Sequence, residues 1–298
     1  MDKLRHIFKL LCFSGVVLLL SGCKAVVLDP KGWVAKQELH LLITAVLLML
    51  IVVVPVLVLI LVIARRYRSS NKKAKYTPDW AHSNTLEAIW WAIPCAIIVV
   101  LATITWKTTH KLDPYKSLAV GGKPLTIEVV ALQWRWLFIY PEQNIATINH
   151  IEFPANRQVQ FLITADAPMN SFQIPQLAGQ IYAMAGMQTK LHIIADQPGT
   201  YQGRSVSFSG DGFSDMKFTV KATTDQAFNQ WVQSVKQSSN VLNDETYRKI
   251  AAPHEDEAAQ YFASVDSNLY HDIIMSYKMP SKQPVAVNAT VKATQITN

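Results

Sequence analysis

At 298 residues the chain has room for one large domain or two, with half of its positions apolar and only 16% charged. Its formal net charge of +7 invites a nucleic-acid reading, but residues 1–106 hold 12 Lys and Arg against 5 Asp and Glu, while residues 107–298 hold 16 against 16. The excess is a topology signal in the apolar part, so no nucleic-acid partner is implied. The three cysteines, Cys12, Cys23 and Cys95, leave everything beyond residue 95 without a disulfide or a thiolate metal site.

In chain order, Lys3, Arg5 and Lys9 precede a short apolar stretch that ends in Leu20-Ser21-Gly22-Cys23. This is the charged, apolar, small-residue order of a signal peptide. Leu-Ser-Gly-Cys resembles a bacterial lipobox, so residues 1–22 are expected to be removed and Cys23 to carry lipid. Two uncharged runs follow, Leu39–Ala64 and Ala88–Thr105, each with a central proline, Pro55 and Pro94. Their lengths predict a transmembrane hairpin within residues 23–110, with helices over about 39–64 and 87–106. Trp90, Trp91 and Trp106 flank the second helix as interfacial aromatics do. Arg65, Arg66, Arg68, Lys72, Lys73 and Lys75 face only Asp79 in the linker 65–86, which places that loop in the cytoplasm. Cys23 and everything after Trp106 then lie on the outer face of a bacterial inner membrane, in the periplasm.

Residues 120–222 read as short strands broken by Pro, Gly and Asn: LTIEVVALQ, WRWLFIY, HIEF, QVQFLIT, SFQIP, QIYAMA, KLHIIA, GTYQGRSVSF and MKFTV. That pattern predicts an all-β sandwich or barrel. Helical spacing returns in 223–280, first in DQAFNQWVQSVKQ, where Phe228, Trp231, Val232 and Val235 share a face. Residues 281–298 have no period and are expected to be poorly ordered.

Chemistry is sparse. The exported histidines His150 and His192 are far apart in sequence and lack thiolate partners, which predicts ordinary surface or edge residues. Ser209-Gly210-Asp211-Gly212 lacks the glycine that a nucleophile elbow needs before its serine. Glu87 opens the second apolar helix, and two readings fit it: a carboxylate suited to the helix dipole, or an acid at the membrane edge that feeds protons to a partner. Trp134, Trp136 and Phe138 alternate along one predicted strand, as packing or as an electron path.

Taken together, the hairpin, TLEAIWWAIPCAIIV, ALQWRWLFIYPE and NSFQIPQLAGQIYAMAGM resemble subunit II of the haem-copper oxidases over nearly the whole chain. The resemblance implies a cupredoxin-like Greek-key sandwich. In the cytochrome c-oxidising members, two cysteines, a glutamate, two histidines and a methionine hold a dinuclear copper centre, CuA. Here the matching positions are Asn170, Arg204, Val206, Phe208, Gly212 and Met216, the last one residue late by strict spacing. A lone thioether cannot replace bridging thiolates, so these positions are expected not to bind metal. The departure resembles the quinol-oxidising, cytochrome bo-type branch, as do the lipobox and the helical C-terminal region. By resemblance, the chain would bind no redox cofactor, haems and copper would reside in subunit I, and the partners would be subunit I, further oxidase subunits, membrane lipid and the ubiquinol bound by the complex. Glu87 would then match the entrance of a proton pathway, and Val206 and Phe208 would fill the vacated copper space as core. A cytochrome c oxidase subunit with an atypical copper site and an envelope lipoprotein scaffold are the alternatives.

Overall fold

The computed structural model describes residues 25–75, 77–118, 122–253 and 258–278. The expected signal peptide, Cys23 and the tail 281–298 lie outside the described residues.

Two long helices, α1 (Trp33–Arg66) and α2 (Asn84–Lys111), contain Pro55 and Pro94 without interruption. Both overrun the uncharged stretches that predict them. Hydropathy marks only the part suited to hydrocarbon, whereas a helix continues until its end groups find other partners. Most side chains between Leu42 and Ile63 are exposed, as expected for a surface made for lipid or for partner helices.

The first turn of α1 belongs to the β-domain instead. Val34 and Ala35 are buried there. Ala35 N donates to Leu177 O at 3.2 Å, and the amides of Lys31 and Gly32 both donate to Gln176 O, at 2.7 and 3.1 Å. Gly32 also bridges Ala195. A Cβ at Gly32 would lie 2.5 Å from Ile194 O and 2.8 Å from Leu177 O, so only glycine permits this approach.

Among the described residues the sandwich strands before the C-terminal region are β1 (Leu125–Ala131), β2 (Trp136–Tyr140), β3 (Ile145–Ile148), β4 (His150–Pro154), β5 (Val159–Ala165), β6 (Asn170–Gln173), β7 (Ile181–Ala183), β8 (Thr189–Ile193), β9 (Gly199–Ser205) and β10 (Lys217–Thr223). The C-terminal region adds α3 (Asp225–Lys236), β11 (Val241–Leu242), α4 (Asp244–Ala251), β12 (Gln260–Phe262), β13 (Ser264–Val265) and α5 (Leu269–Ser276). One sheet runs β12-β3-β2-β1-β5-β8 and the other β4-β10-β9-β6-β7, while β11 and β13 form a separate pair. β1 is parallel to β5 and β4 to β10; β1–β2, β5–β8 and β9–β10 are antiparallel. The strand Ile145–Ile148, absent from the sequence expectation, is a short apolar run directly before β4.

Trp136, Phe138, Phe161, Phe172 and Phe218 interlock between the two sheets, with Phe172 and Phe218 stacked at 5.1 Å. A second core lies on the opposite face of the six-stranded sheet, where Val130, Leu137, Ile139 and Ile148 meet Tyr247, Ile250, Tyr270 and Ile273 of the C-terminal helices. Hence β2 is buried along its whole length. Burial on both faces explains its unbroken apolar run. α3 starts at Thr224, whose side chain accepts from Ala227 N at 3.2 Å, and buries Phe228, Val232 and Val235 as their spacing predicts.

Candidate functional site

The segment Val206–Met216 joins β9 to β10 and includes a short 3-10 turn, Asp211–Asp215. It is built around an indole. Trp134 does not continue β2: it occupies the β1–β2 turn at φ +67°, which breaks the predicted alternation with Trp136 and Phe138. From there its Nε1 donates to Ser209 O at 3.1 Å. A Cβ on Gly212 would fall 2.5 Å from the indole, so the chain lies against the ring where no other residue fits.

Of the six copper-loop positions, the structure brings only some together. Asn170, at the start of β6, is 1% exposed; its Oδ1 accepts from Ser205 Oγ at 3.0 Å and its Nδ2 donates to Pro168 O at 2.8 Å. Met216 is equally buried, and its carbonyl accepts from Ser205 N at 3.0 Å. Gly212 is buried under Trp134. Arg204 sits on the outer face of β9, opposite Gln173 and Lys217. Val206 is half-buried and its amide donates to Ser171 O at 3.1 Å. Phe208 is 79% exposed, with Phe213 edge-on at 5.7 Å, which corrects the expectation that it fills the vacated space. Met216 is buried in the inter-sheet core and the half-buried indole of Trp134 packs inside the loop against Gly210 and Gly212, while Phe208 stands at the exposed apex.

The positions do not fit a dinuclear copper centre. Asn170 has spent its amide on internal hydrogen bonds, and no thiolate exists beyond Cys95 to bridge two metals. Among the described residues, no group of three or more His, Cys, Asp or Glu is placed to hold a metal ion. His150 and His192 lie on edge strands as expected, but neither is a surface residue. His150 Nε2 is 3.1 Å from Glu152 Oε1, which Lys221 Nζ also reaches at 3.2 Å. His192 is 6% exposed, with its Nδ1 3.0 Å from Pro114 O, so that nitrogen donates.

Glu87 lies in the first turn of α2, partly covered, with its amide bonded to Ser83 O at 2.9 Å. Its carboxylate makes no hydrogen bond or ion pair within the described residues. Trp90 and Trp91 follow on the exposed surface, at 58% and 70%.

Two further titratable groups escape a sequence reading. Glu128 stands on β1 opposite Ile139 and Leu162, and burial among apolar neighbours pushes its carboxyl up to about 7. Asp166 accepts hydrogen bonds from two phenols, Tyr247 on α4 and Tyr277 after α5, the latter at 2.6 Å. Burial first, and then Asp166 through its charge and its hydrogen bonds, hold both phenols well above the usual range. Alternation hints at the position of Glu128, whereas nothing local foretells the Asp166 pairings, which span 81 and 111 residues.

Three family models match consecutive parts of the chain. They are the cytochrome c oxidase subunit II transmembrane domain over residues 34–107, the subunit II periplasmic domain over 143–223 and the COX aromatic rich motif over 236–281. Cytochrome bo(3) ubiquinol oxidase subunit 2 of Pseudomonas aeruginosa is 52% identical over 261 residues, covering 88% of this chain and 79% of that protein. The chain belongs to the cytochrome bo(3) ubiquinol oxidase subunit 2 family. Ubiquinol oxidase subunit 2 of Acetobacter aceti is 51% identical over 262 residues, covering 87% of this chain and 85% of the relative. The crystal structure of the periplasmic domain of subunit II of cytochrome oxidase from Bradyrhizobium japonicum is 21% identical, covers 45% of this chain and 99% of that one, and overlays with a TM-score of 0.36. Membership makes α1 and α2 the two transmembrane helices and the sandwich the periplasmic domain. The aromatic rich motif is the segment that supplies Tyr247, Phe262, Tyr270 and Tyr277 to the second core and to Asp166.

Proposed function

We propose that this chain is the metal-free subunit II of a proton-pumping, bo-type ubiquinol oxidase that passes electrons from quinol to oxygen. The observation that carries the reading is the loop Val206–Met216, which packs on the indole of Trp134 with Met216 buried in the core and Asn170 satisfied internally. With no thiolate to bridge copper, the chain has no means of relaying electrons from a soluble donor, so electrons enter from a quinol dissolved in the bilayer. Haems and copper then reside in subunit I. This chain clamps subunit I with the hairpin and covers its outer face with the sandwich. The deciding experiment is turnover of the purified complex. Ubiquinol should support oxygen uptake and reduced cytochrome c should not, with no copper beyond that of subunit I; cytochrome c oxidation with two additional coppers would establish the atypical copper reading.

Within this function, Glu87 is the entrance of a proton pathway, supported by its place at the cytoplasmic start of α2 without an internal partner. Glu87→Gln should slow quinol oxidation while haem content stays unchanged, and unaltered turnover removes it from the path. Cys23, outside the described residues, is the lipid anchor; Cys23→Ser should abolish acylation, read as the mass of the mature subunit.

A further inference from the structure

The outer ends of the two membrane helices do not meet the sandwich flush. Between them lies a cavity of about 110 Å³ lined by Trp33, Glu38, Lys111, Asp113, Lys116 and Leu191, among others. Its depth can be read from the helices. Glu38 directly precedes the uncharged run that begins at Leu39, and Lys111 lies five residues beyond Trp106, about 7.5 Å along the helix axis. The polar layer on each side of the hydrocarbon is about 5–8 Å thick, so the cavity opens at the level of the outer-leaflet headgroups.

Its charges come in both signs and are held in place. Lys111 Nζ sits 5.4 Å from the centroid of the Trp33 ring and donates to Gln37 Oε1 at 3.2 Å. Lys116 Nζ donates to His110 O at 2.7 Å. An ammonium has three N–H donors, so each lysine keeps donors for a ligand. Glu38 is fixed by Gly179 N, which donates to its Oε1 at 3.0 Å, and Asp113 Oδ1 accepts from Tyr115 N at 3.0 Å. A carboxylate has about four acceptor sites, so both acids also retain capacity. A purely anionic ligand would be opposed by Glu38 and Asp113, and a purely cationic one by the two lysines. A dipolar ligand satisfies both pairs.

We propose that this cavity binds the headgroup of an aminophospholipid, with its phosphate against Lys111 and Lys116 and its ammonium against Glu38 and Asp113. The acyl chains descend along the exposed apolar surface of α1 that begins at Leu42, Ile43 and Val46. The lipid would wedge the hairpin against the sandwich beside the Lys36–Asp196 ion pair and the backbone pairing that already join them.

The test uses the intact oxidase in nanodiscs of phosphatidylethanolamine, phosphatidylcholine or phosphatidylglycerol, with retained lipid counted by native mass spectrometry after delipidation. The wild-type complex should hold one more phosphatidylethanolamine than the Lys111→Gln/Lys116→Gln variant, with about tenfold tighter retention, the scale of a charge-assisted contact at a partly open site. Glu38→Gln should shift retention toward phosphatidylglycerol, because a carboxylate that repels the anion is gone. Equal retention in wild type and variants would overturn the site. If the lysine variants fail to assemble, the wild-type complex decides alone: phosphatidylcholine, whose trimethylated nitrogen cannot donate to Glu38, should not replace phosphatidylethanolamine, and indifference between the two refutes the proposal.

Discussion

Trp134→Ala tests whether packing, with no metal involved, shapes the loop between β9 and β10. The substitution removes an indole against which Gly212 is apposed, together with the hydrogen bond from Nε1 to Ser209 O at 3.1 Å. Truncating a fully buried Trp to Ala costs about 3–5 kcal/mol; Trp134 is only half-buried, so about 2–4 kcal/mol is expected. Most of the loss should be local, because the rest of the inter-sheet core does not touch this ring. Hydrogen exchange of the intact complex reads it at three amides: Ser205, bonded to Met216 O, Val206, bonded to Ser171 O, and Met216, bonded to Phe213 O. At about 1.4 kcal/mol per tenfold, their exchange should accelerate by about 30- to 1,000-fold, and amides of β1 and β5 should be unaffected. Added copper should restore no protection. Unchanged exchange at all three amides, or protection recovered with copper, would refute the reasoning.

Glu128 makes stability depend on pH. Its carboxyl is neutral in the folded chain but ionised in the unfolded one between pH 4.5 and about 7, so its contribution is complete below 4.5 and is lost as pH rises through 7. Glu128→Gln should flatten that part of the denaturation profile and stabilise the protein above pH 7 by about 1–2 kcal/mol, after discounting for partial exposure; parallel profiles would contradict it. Tyr247→Phe leaves Asp166 with Tyr277 alone and should cost about 1.5–3 kcal/mol, seen as faster proteolysis within the C-terminal helices, whereas wild-type resistance would show that the phenol contributes nothing. Gly32→Ala forces a methyl against two backbone carbonyls that cannot rotate away, and should cost about 1–3 kcal/mol. Its readout is the yield of assembled, haem-loaded complex, and an undiminished yield would mean that the entry to α1 can shift at little cost.

Elements whose signal is local were readable along the chain. The two uncharged runs gave α1 and α2, strand alternation gave most of the sandwich, and the spacing of Phe228, Val232 and Val235 gave the buried face of α3. The absence of cysteine beyond residue 95 already ruled out bridging thiolates, since a missing ligand type does not depend on folding. Tertiary structure decided what fills a space. Phe208 and Trp134 are both large aromatics in or near the loop, and composition cannot rank them. A left-handed turn at Trp134 sets its indole against Gly210 and Gly212, while Phe208 is left at the exposed apex. Likewise, Glu128 is one polar position in an alternating strand until the C-terminal helices cover that face of the sheet, and Asp166 gains its phenols only when segments 81 and 111 residues away return to it. Chain order carries hydrophobic period and ligand inventory, but burial and partner choice come from contacts between distant segments, which exist only after the chain has folded.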